Sequence, residues 1–401
     1  MIVRNPTPGE VEKAADIAWA AFGGEQVHWR QSFQTIAELY GERFILVVEI
    51  DGQLVSSLVC TPGPVYIGDA VVPHSAVGAV GTLPEARKRG SAGAMMTESV
   101  KLLRSEGIYL SSLWPFSYPY YRKFGWEVGA ESRRYQTDAK VFSALGDPAK
   151  TRGAKEDDFQ QIRAVYDAFA RKHNCLTQRS ETWWRRIIQP ANVWQYTTEP
   201  GRGAIVHITN ETIDGYAVYE IAIDEDRKRV EVGEMAFSDS RQRMDLLAGL
   251  AEIDPEARLI FYSTRNDMLM HQLPDPRLVS TTICPGFQFR VIDPPKALES
   301  LCPDKSVSGR LSFALSDSVF ERFEFGVEFE GGRVGLCAPD RGALLKMSVE
   351  TLARLYTGYL SPTDALALGM IEIQAGSEKT IHPAQRFFSQ RPPYRSSVEP
   401  G

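Results

Sequence analysis

The residues with the clearest chemical potential lie in a basic, glycine-bearing segment between a β-rich run and a helical pattern. The β-rich run covers 75–82, and the basic turn that follows it, residues 87–90, reads Arg-Lys-Arg-Gly. The first amides of a helix lack partners within the helix, and together with the helix dipole they attract an anion. Gly90, Ala92 and Gly93 leave the backbone open to a pyrophosphate. The segment predicts a phosphate site, and a plain helix start with solvated arginines is the alternative interpretation.

The elements around this segment predict an α/β unit that holds the basic turn in place. Thr7 and Glu10 have capping-box spacing, and Asp51-Gly52 between two β-rich runs is typical of a tight hairpin. Gly107 marks the end of the helix that follows the basic turn. The predicted elements are, in order, a helix over 11–22, strands over 44–50, 54–59, 65–72 and 75–82, a helix after the basic turn, and a strand over 108–113.

Two further units follow along the chain. A polar connection over 140–152 precedes a second unit that has a similar order of elements but no basic turn, so we expect one such phosphate site per chain. The Pro-rich join at 293–295 precedes a third unit, in which apolar and polar residues alternate over 323–329 before Gly331-Gly332, as in a half-buried hairpin. The predicted elements of these units are helices over 157–172, 241–252, 348–359 and 362–368 and strands over 203–208, 216–223, 229–237 and 333–336.

The composition excludes several classes of function. The 401 residues, 43% hydrophobic and 24% charged, are typical of a soluble protein with two or three domains. Five scattered cysteines without a CxxC pair predict reduced thiols, and the six histidines lack ligand spacing, so we expect no metal. A net charge of -6 without a basic, aromatic stripe argues against nucleic acid as a partner. No run reaches the roughly 18 apolar residues of a membrane span, and the first residues lack a signal sequence, so we expect a cytoplasmic protein without a membrane partner.

Two motifs carry a resemblance to a known family. The pattern Arg87-x-x-Gly90-x-Ala92 resembles the acetyl-CoA turn of the GCN5-related N-acetyltransferases. Tyr121-x-x-x-Gly125-Trp126, which follows the next strand, looks like the Tyr-x-x-x-Gly-aromatic signature of the same superfamily. The three-unit layout is similar to that of the Eis (enhanced intracellular survival) acetyltransferases, which act on aminoglycosides and lysines. That resemblance extends over nearly the whole chain, including a sterol-carrier-like C-terminal unit.

The resemblance implies an α/β (α+β) fold with two tandem acetyltransferase-like (GNAT-like) mixed-sheet domains before a sterol-carrier-like α+β domain. The catalytic domain would cover 1–140, a degenerate second acetyltransferase-like domain 150–288, and the sterol-carrier-like domain with its tail 289–401. It also implies a homo-oligomer, and in this family a hexamer. The Phe-rich face of the third unit is expected to be packed core rather than a lipid tunnel.

The resemblance further implies how acetyl transfer would proceed. Tyr121 matches the proton donor of the family, since a phenol can protonate the departing thiolate. The carboxylate of Gly401 would act as the base, although family members usually end in an aromatic residue. No metal is implied. The expected acetyl-CoA residues are Val80, Gly81, Thr82, Arg87, Lys88, Arg89, Gly90, Ser91, Ala92, Gly93, Phe116 and Ser117.

The acceptor is expected to be a primary amine of a cationic small molecule, such as an aminoglycoside or a polyamine, or of a lysine side chain. A lysine-like amine has a pKa near 10.4, so the neutral nucleophile costs about 4.6 kcal/mol at pH 7. Phe22, Glu25 and Trp29 follow the first helix, where they would form one wall of the acceptor pocket, and an amphipathic surface loop remains the alternative. A different class of function also remains open, namely a non-catalytic protein that binds acyl-CoA or lipid.

Overall fold

The computed structural model describes residues 1–188, 201–224, 227–373 and 380–400. Contacts between residues divide the chain into two compact units. The first unit contains 1–130 and 286–391 together with Pro400, and the second contains 131–285 and 392–399. The first acetyltransferase-like region and the sterol-carrier-like region therefore share one unit.

The first part of the chain forms the predicted helices and strands with two differences in strand assignment, and it also contains the helix Gln26–Tyr40, which was not expected from the sequence. Helix α1 begins after a short turn in which the Thr7 amide donates to Glu10 Oε2 at 2.8 Å, and it ends at Gly23, which has a φ of 75°. The helices are α1 Val11–Phe22, α2 Gln26–Tyr40, α3 Ser91–Ser105, α4 Tyr118–Arg122 and α5 Lys140–Ser143. The strands are β1 Ile2–Arg4, β2 Ile45–Ile50, β3 Gln53–Pro62, β4 Val65–Ile67, β5 Ala70–Val72, β6 His74–Thr82, β7 Leu110–Leu113, β8 Glu127–Val128 and β9 Glu131–Asp138.

The middle of the chain contains the elements of the second unit and one strand of the first. The helices are α6 Phe159–Ala170, α7 Glu181–Trp183 with a π-helical turn Trp184–Ile188, and α8 Ser240–Ile253. The strands are β10 Thr151–Gly153, β11 Arg202–Thr209, β12 Thr212–Asp224, β13 Arg227–Phe237, β14 Arg258–Thr264, β15 Ser280–Pro285 and β16 Gln288–Val291.

The last part of the chain packs an antiparallel hairpin against short helices. The helices are α9 Pro294–Glu299, α10 Val349–Thr357, α11 Pro362–Ala367 and α12 Ile381–Phe387. The strands are β17 Gly309–Asp317, β18 Glu321–Glu330, β19 Arg333–Cys337, β20 Leu344–Ser348 and β21 Glu372–Ile373. Phe313, Phe325 and Phe329 are buried in this region, and the rings of Phe329 and Phe387 lie 4.8 Å apart. These phenylalanines are packed side chains of the core.

The predicted cofactor residues lie on β6, at the point where this strand diverges from the parallel strand β7. The first sheet has the order β1-β2-β3-β6-β7-β16-β8. Strands β6 and β7 pair in parallel only over 74–76 and 110–112. The second sheet, β10-β11-β12-β13-β14-β9-β15, repeats this arrangement, because β13 and β14 pair in parallel only over 229–231 and 258–260.

Three expectations differ from the structure. The predicted strand over 65–72 is a small hairpin of β4 and β5, because the chain turns at Gly68, which has a φ of 56°. Residues 131–138, placed in the first domain by the boundary at 140, form β9 of the second sheet between β14 and β15. Phe22, expected to follow the first helix, is the last residue of α1 and is 54% exposed, while Val11 and Ala14 of the same helix are buried. The three-domain boundaries stay a prediction.

Candidate active site

The basic turn presents a helix start that no side chain caps. Gly90 is the N-cap of α3, has a φ of 83°, and offers no side chain to the free amides of the first helical turn. Among the described residues, no carboxylate forms an ion pair with Arg87, Lys88 or Arg89, which are all exposed. Free amides, the positive end of the helix dipole and three unpaired cations together favour a phosphate group.

Strand β6 offers free backbone beside this helix start. Parallel pairing with β7 ends at Ala76, so residues 77–82 have no strand partner on that side within the described part of the sheet. Ala79 has a φ of 53°, and the register between β3 and β6 shifts between Ser57 and Val59, which marks a bulge. A bulge re-aims the backbone locally. The predicted residues Val80, Gly81 and Thr82 therefore lie on a strand edge without a strand partner on that side, where an extended ligand can bond to the backbone.

Hydroxyl groups tie the strand to the helix. Ser56 Oγ lies 2.9 Å from Thr82 Oγ1 and 3.0 Å from Ser91 Oγ. Ser91 is the first residue of α3 and is buried. Gly93, one turn into the helix, would place an added Cβ 3.5 Å from the Phe124 ring. Strand, helix start and the segment after β7 are thus held close together.

Tyr121 lies beside this opening as a protonated phenol. Its side chain is only 2% exposed, and no described residue hydrogen-bonds its hydroxyl group. Burial, with a smaller contribution from Tyr120, raises the pKa of Tyr121 above its ordinary value. A phenol with a raised pKa keeps its proton at neutral pH and can act only as an acid. The predicted cofactor residue Phe116 places its ring 5.3 Å from that of Tyr121, and Ser117 is the N-cap of α4, which carries the tyrosine.

A buried arginine shapes the turn below Tyr121. Arg290 in β16 donates to the Phe124 carbonyl oxygen at 2.7 Å and to both carboxylate oxygens of Asp317 at 2.8 Å. Gly125 has a φ of 85°, and an added Cβ would lie 1.5 Å from Arg290 Nη1. The glycine of the Tyr-x-x-x-Gly-aromatic pattern is therefore required by both the backbone conformation and this guanidinium. The side chain of Arg290 has no exposed surface.

The predicted acceptor residues lie at the junction of α1 and α2. Phe22 and Trp29 stack with their ring centroids 5.6 Å apart, and Glu25 is the exposed N-cap of α2. The nearby Asp16 carboxylate is already bonded by Arg30 and Gln26. The end of α1 reaches β6, because an added Cβ on Gly81 would lie 3.2 Å from Ala21 Cβ. The structure thus brings the end of α1, which carries Phe22, next to the predicted cofactor strand.

Gly401, the predicted base, lies outside the described residues. The preceding tail residue Glu399 is buried within the second unit. Its carboxylate accepts from Arg179 Nη2 at 2.6 Å and from Thr177 Oγ1 at 2.5 Å. Burial raises the pKa of Glu399, but Arg179, Arg395 and Thr177 together lower it by more, so the pKa lies below its usual value. The tail is therefore anchored by a buried ion pair.

Histidine, cysteine and acidic side chains elsewhere in the described part of the chain were compared with the groupings that bind metals. Within the described residues, no three His, Cys, Asp or Glu side chains are grouped as metal ligands. Buried His74 bonds the Gly63 carbonyl oxygen and Ser112 Oγ, each at 2.9 Å. In the described part of the chain, no helix is long and apolar enough to cross a membrane.

Comparison with known proteins assigns a family to each part of the chain. Residues 2–129 match an acetyltransferase (GNAT) domain family, residues 175–291 match another acetyltransferase (GNAT) domain family, and residues 294–396 match a sterol carrier protein domain family. An uncharacterized N-acetyltransferase of Streptomyces griseus is 26% identical over 337 residues, which is 78% of this chain and 79% of the relative. N-acetyltransferase Eis of Mycobacterium tuberculosis is 24% identical over 305 residues, 73% of this chain and 72% of the relative.

The chain is an acetyltransferase with two GNAT domains and a sterol carrier protein domain, and it resembles the N-acetyltransferases named Eis. Solved structures share its fold. A GCN5-related N-acetyltransferase from Anabaena variabilis has a TM-score of 0.82 at 16% identity and covers 98% of both chains. Eis1 from Mycobacterium abscessus has a TM-score of 0.75 at 18% identity and covers 100% of both chains.

Several residues that the structure brings into buried ion pairs or leaves exposed were not identified from the sequence. Arg290 and Asp317 lie far along the chain from Tyr121, and no local pattern marks them. Glu399 looks like an ordinary tail residue in the sequence. Trp114, which follows β7 and is 57% exposed, was also missed, although an isolated tryptophan beside a strand of the predicted site is a signal that could have been used.

Proposed function

We propose that this acetyltransferase moves an acetyl group from acetyl-CoA to a primary amine, with Tyr121 as the general acid. The observation that carries the proposal is the combination, in one unit, of an uncapped basic helix start and a buried, protonated phenol that lies beyond the next strand. The acceptors to test first are those expected from the sequence, namely aminoglycosides, polyamines and lysine side chains.

The residues present fit a coenzyme A thioester. We propose that the amides at the start of α3, with Arg87, Lys88 and Arg89, hold the pyrophosphate. The free backbone of Val80 to Thr82 would bond the pantetheine arm and polarise the thioester carbonyl. Acetyl-CoA supplies the activated acyl group. The remaining expected contacts are Gly90, Ser91, Ala92 and Gly93 at the helix start and Phe116 and Ser117 on the far side.

Acetyl transfer requires one group that donates a proton to the leaving sulfur and one group that accepts a proton from the amine. The amine attacks the thioester carbon, the carbon–sulfur bond breaks, and Tyr121 gives its proton to the leaving sulfur. The amine loses one proton, which we propose is taken by the carboxylate of Gly401. Glu399, two residues earlier, is fixed by Arg179 and Thr177, so this proposal relies on an anchored tail.

Replacing Tyr121 by phenylalanine tests the acid. We expect the turnover number for thiol release to fall about a hundredfold, because general acid catalysis contributes about 10²–10⁴. Acetyl-CoA affinity should remain nearly unchanged in calorimetry. Tyr120→Phe is the matched control, since the Tyr120 hydroxyl is buried without a hydrogen-bond partner among the described residues. Equal turnover in Tyr121→Phe and the wild type would remove Tyr121 from this role.

The base is tested by removing Gly401 alone. Deleting the last four residues would also remove Glu399 and leave the buried Arg179 with one carboxylate fewer, so a loss of activity could reflect instability. Removal of Gly401 keeps that pair and shifts the terminal carboxylate by one residue. We expect turnover to fall about tenfold with an unchanged melting temperature. An unchanged rate would assign the base to another group or to water.

The oligomeric state and the cellular location of the protein are proposed from the family resemblance. We propose a homohexamer in the cytoplasm, and light scattering of the purified protein checks the oligomeric state. The third part of the chain does not support a role in carrying lipid, because the side chains of Phe313, Phe325 and Phe329 are buried within its core.

A further inference from the structure

The second unit contains a cavity at the place that corresponds to the predicted cofactor opening of the first unit. Strands β13 and β14 pair in parallel only over 229–231 and 258–260, and beyond these residues they part. A cavity of about 300 Å³ lies beyond that pairing. Its lining comes from the ends of α6, β13 and β14, from the start of α8 and from the tail residue Tyr394, which all belong to this unit. The proposed acetyl transfer does not use this cavity.

Four neighbouring rings line the cavity. The Phe169 ring centroid lies 4.3 Å from that of His173 and 5.7 Å from that of Phe237. The Tyr394 ring lies 6.4 Å from the Phe169 ring and 6.1 Å from the His173 ring. Phe169, His173 and Phe237 are only partly buried, so ring surface is available to a ligand. Burial lowers the pKa of His173, which leaves its imidazole neutral at pH 7. We define these four rings as the ring cluster.

The charged side chains around the cavity are of both signs and already have partners. Arg243 donates through Nη1 to the two carboxylate oxygens of Asp267, at 2.8 and 2.7 Å. Asp239 accepts from the first amides of α8, and Lys172 donates to the Ser238 carbonyl oxygen at 3.4 Å. A ligand with a net charge of either sign would meet a like charge here and would lose water without a free partner. The cavity therefore favours an uncharged molecule.

Tyr394 brings a hydrogen-bond donor to the cavity. Its backbone amide donates to the Asn174 carbonyl oxygen at 2.9 Å, which fixes the tail at this point. The side chain is 4% exposed, and no described residue hydrogen-bonds its hydroxyl group. Burial raises the pKa of this phenol, with smaller contributions from Glu234, Asp267 and Tyr262, so it keeps its proton at neutral pH. Since a buried polar group without a partner costs free energy, a ligand with a carbonyl oxygen or a ring nitrogen would supply the missing acceptor.

We propose that this cavity is a second ligand site, which binds an uncharged, planar aromatic molecule with a hydrogen-bond acceptor, such as an aromatic carboxamide. The ring cluster packs against the ring of the ligand, and the Tyr394 hydroxyl group donates to its acceptor. Small-molecule sites usually measure about 300–1,000 Å³, so a cavity at the lower limit suits one or two rings. Asp239 at the start of α8 repels the pyrophosphate of coenzyme A, so the ligand is not a second acetyl-CoA.

Calorimetry on the wild-type protein tests the chemical class of the ligand. The uncharged aromatic probe is 1-naphthamide. Its matched controls are 1-naphthoate with a negative charge, (1-naphthylmethyl)trimethylammonium with a positive charge, and cyclohexanecarboxamide, which keeps the amide without the aromatic ring. We expect 1-naphthamide to bind one site per chain with a Kd at least about tenfold lower than that of each control, because it alone combines the ring contacts and the hydrogen bond without an unpaired charge.

Two substitutions test whether 1-naphthamide binds in this cavity. Tyr394→Phe keeps the ring and removes the hydroxyl group, so the Kd should rise about fivefold through the loss of one hydrogen bond. Phe169→Ala removes the ring at the centre of the ring cluster, and the Kd should rise about tenfold. Tyr219→Phe is the matched control, since Tyr219 belongs to the same unit and does not line the cavity. The control should keep the wild-type Kd, and all three variants should keep the wild-type Kd for acetyl-CoA.

Three results would overturn the proposal, whether or not the chain transfers acetyl groups. Binding of either charged probe as tightly as 1-naphthamide would reject an uncharged ligand. A wild-type Kd for 1-naphthamide in Tyr394→Phe and Phe169→Ala, with unchanged melting temperatures, would show that the probe binds elsewhere, for example at the opening between β6 and β7. The absence of saturable binding of 1-naphthamide to the wild-type protein would reject the site itself.

Discussion

The two units contain the same strand–turn–helix–strand segment, and the difference between the turns explains why one of them suits a nucleotide. In the first unit, residues 83–90 connect β6 to α3, and the N-cap Gly90 leaves the helix amides free. In the second unit, only Ser238 and Asp239 connect β13 to α8. The Asp239 carboxylate accepts from the Arg241 and Gln242 amides at 2.8 and 3.0 Å.

This contrast teaches that topology alone does not make an anion site. Asp239 fills the start of α8 with its own negative charge, so a phosphate would meet repulsion and occupied donors there. The segments that follow the last strand of each motif, β7 in the first unit and β14 in the second, also differ. Residues 265–285, which follow β14, contain no tyrosine, whereas Tyr121 follows β7. We therefore expect one acetyl-CoA and one catalytic centre per chain.

Removing the charge of the basic turn should have the largest effect. In the triple variant Arg87→Ala, Lys88→Ala, Arg89→Ala, the dissociation constant for acetyl-CoA should rise about a hundredfold, because charge-assisted contacts to the pyrophosphate are lost. Its salt dependence should also weaken. Calorimetry measures both, and Arg241→Ala at the start of α8 is the control. If the triple variant and the control bind equally well, the comparison between the turns fails.

Closing the space below Tyr121 should have the next largest effect. Gly125→Ala forces a Cβ towards Arg290 at a φ of 85°, so kcat/KM should fall about tenfold and stability by ~2 kcal/mol. Gly107→Ala is the control, since Gly107 has a φ of 71° with no atom within 4 Å of an added Cβ. The control should lose stability but not activity. Equal activity losses in both variants would mean that Arg290 does not position the turn.

Removing the cap of α8 should have the smallest effect. Asp239→Ala should lower the free energy of unfolding by ~1 kcal/mol, because the helix loses its N-cap bonds. Titration with acetyl-CoA should still give one site per chain, because the turn before α8 has no basic residues that would attract the pyrophosphate. A second acetyl-CoA site in this variant would show that the Asp239 cap alone prevents the second unit from binding acetyl-CoA.

The local patterns in the sequence predicted much of the fold and of the candidate site. The hairpin at Asp51-Gly52, the helix after the basic turn and the strands over 216–223 and 229–237 all appear at the expected places. These elements are set by turn residues and by apolar periodicity, which act over a few residues. The two motifs that resemble those of the GCN5-related N-acetyltransferases were also recognised, because each motif is local.

Pairing between distant segments could not be predicted in the same way. Residues 131–138 were not assigned to a strand from their sequence, and the strand that they form, β9, pairs with β14 and β15 rather than with the first sheet. Arg290 and Asp317 form their ion pair across elements that are remote in sequence from Tyr121. The exposure of Phe22 depends on what packs beyond the end of α1, and periodicity carries no information on that.

The position of β16 has a consequence for how the protein is made. This strand, which lies between β7 and β8 in the first sheet, leaves the ribosome only after the whole of 131–285 has been synthesised. At about 5–20 residues per second, that interval lasts roughly 8–31 s. The first sheet stays incomplete during this time, with the edges of β7 and β8 that β16 later joins unpaired. A gene fragment that ends at residue 130 would therefore yield a lasting folding intermediate rather than a small working enzyme.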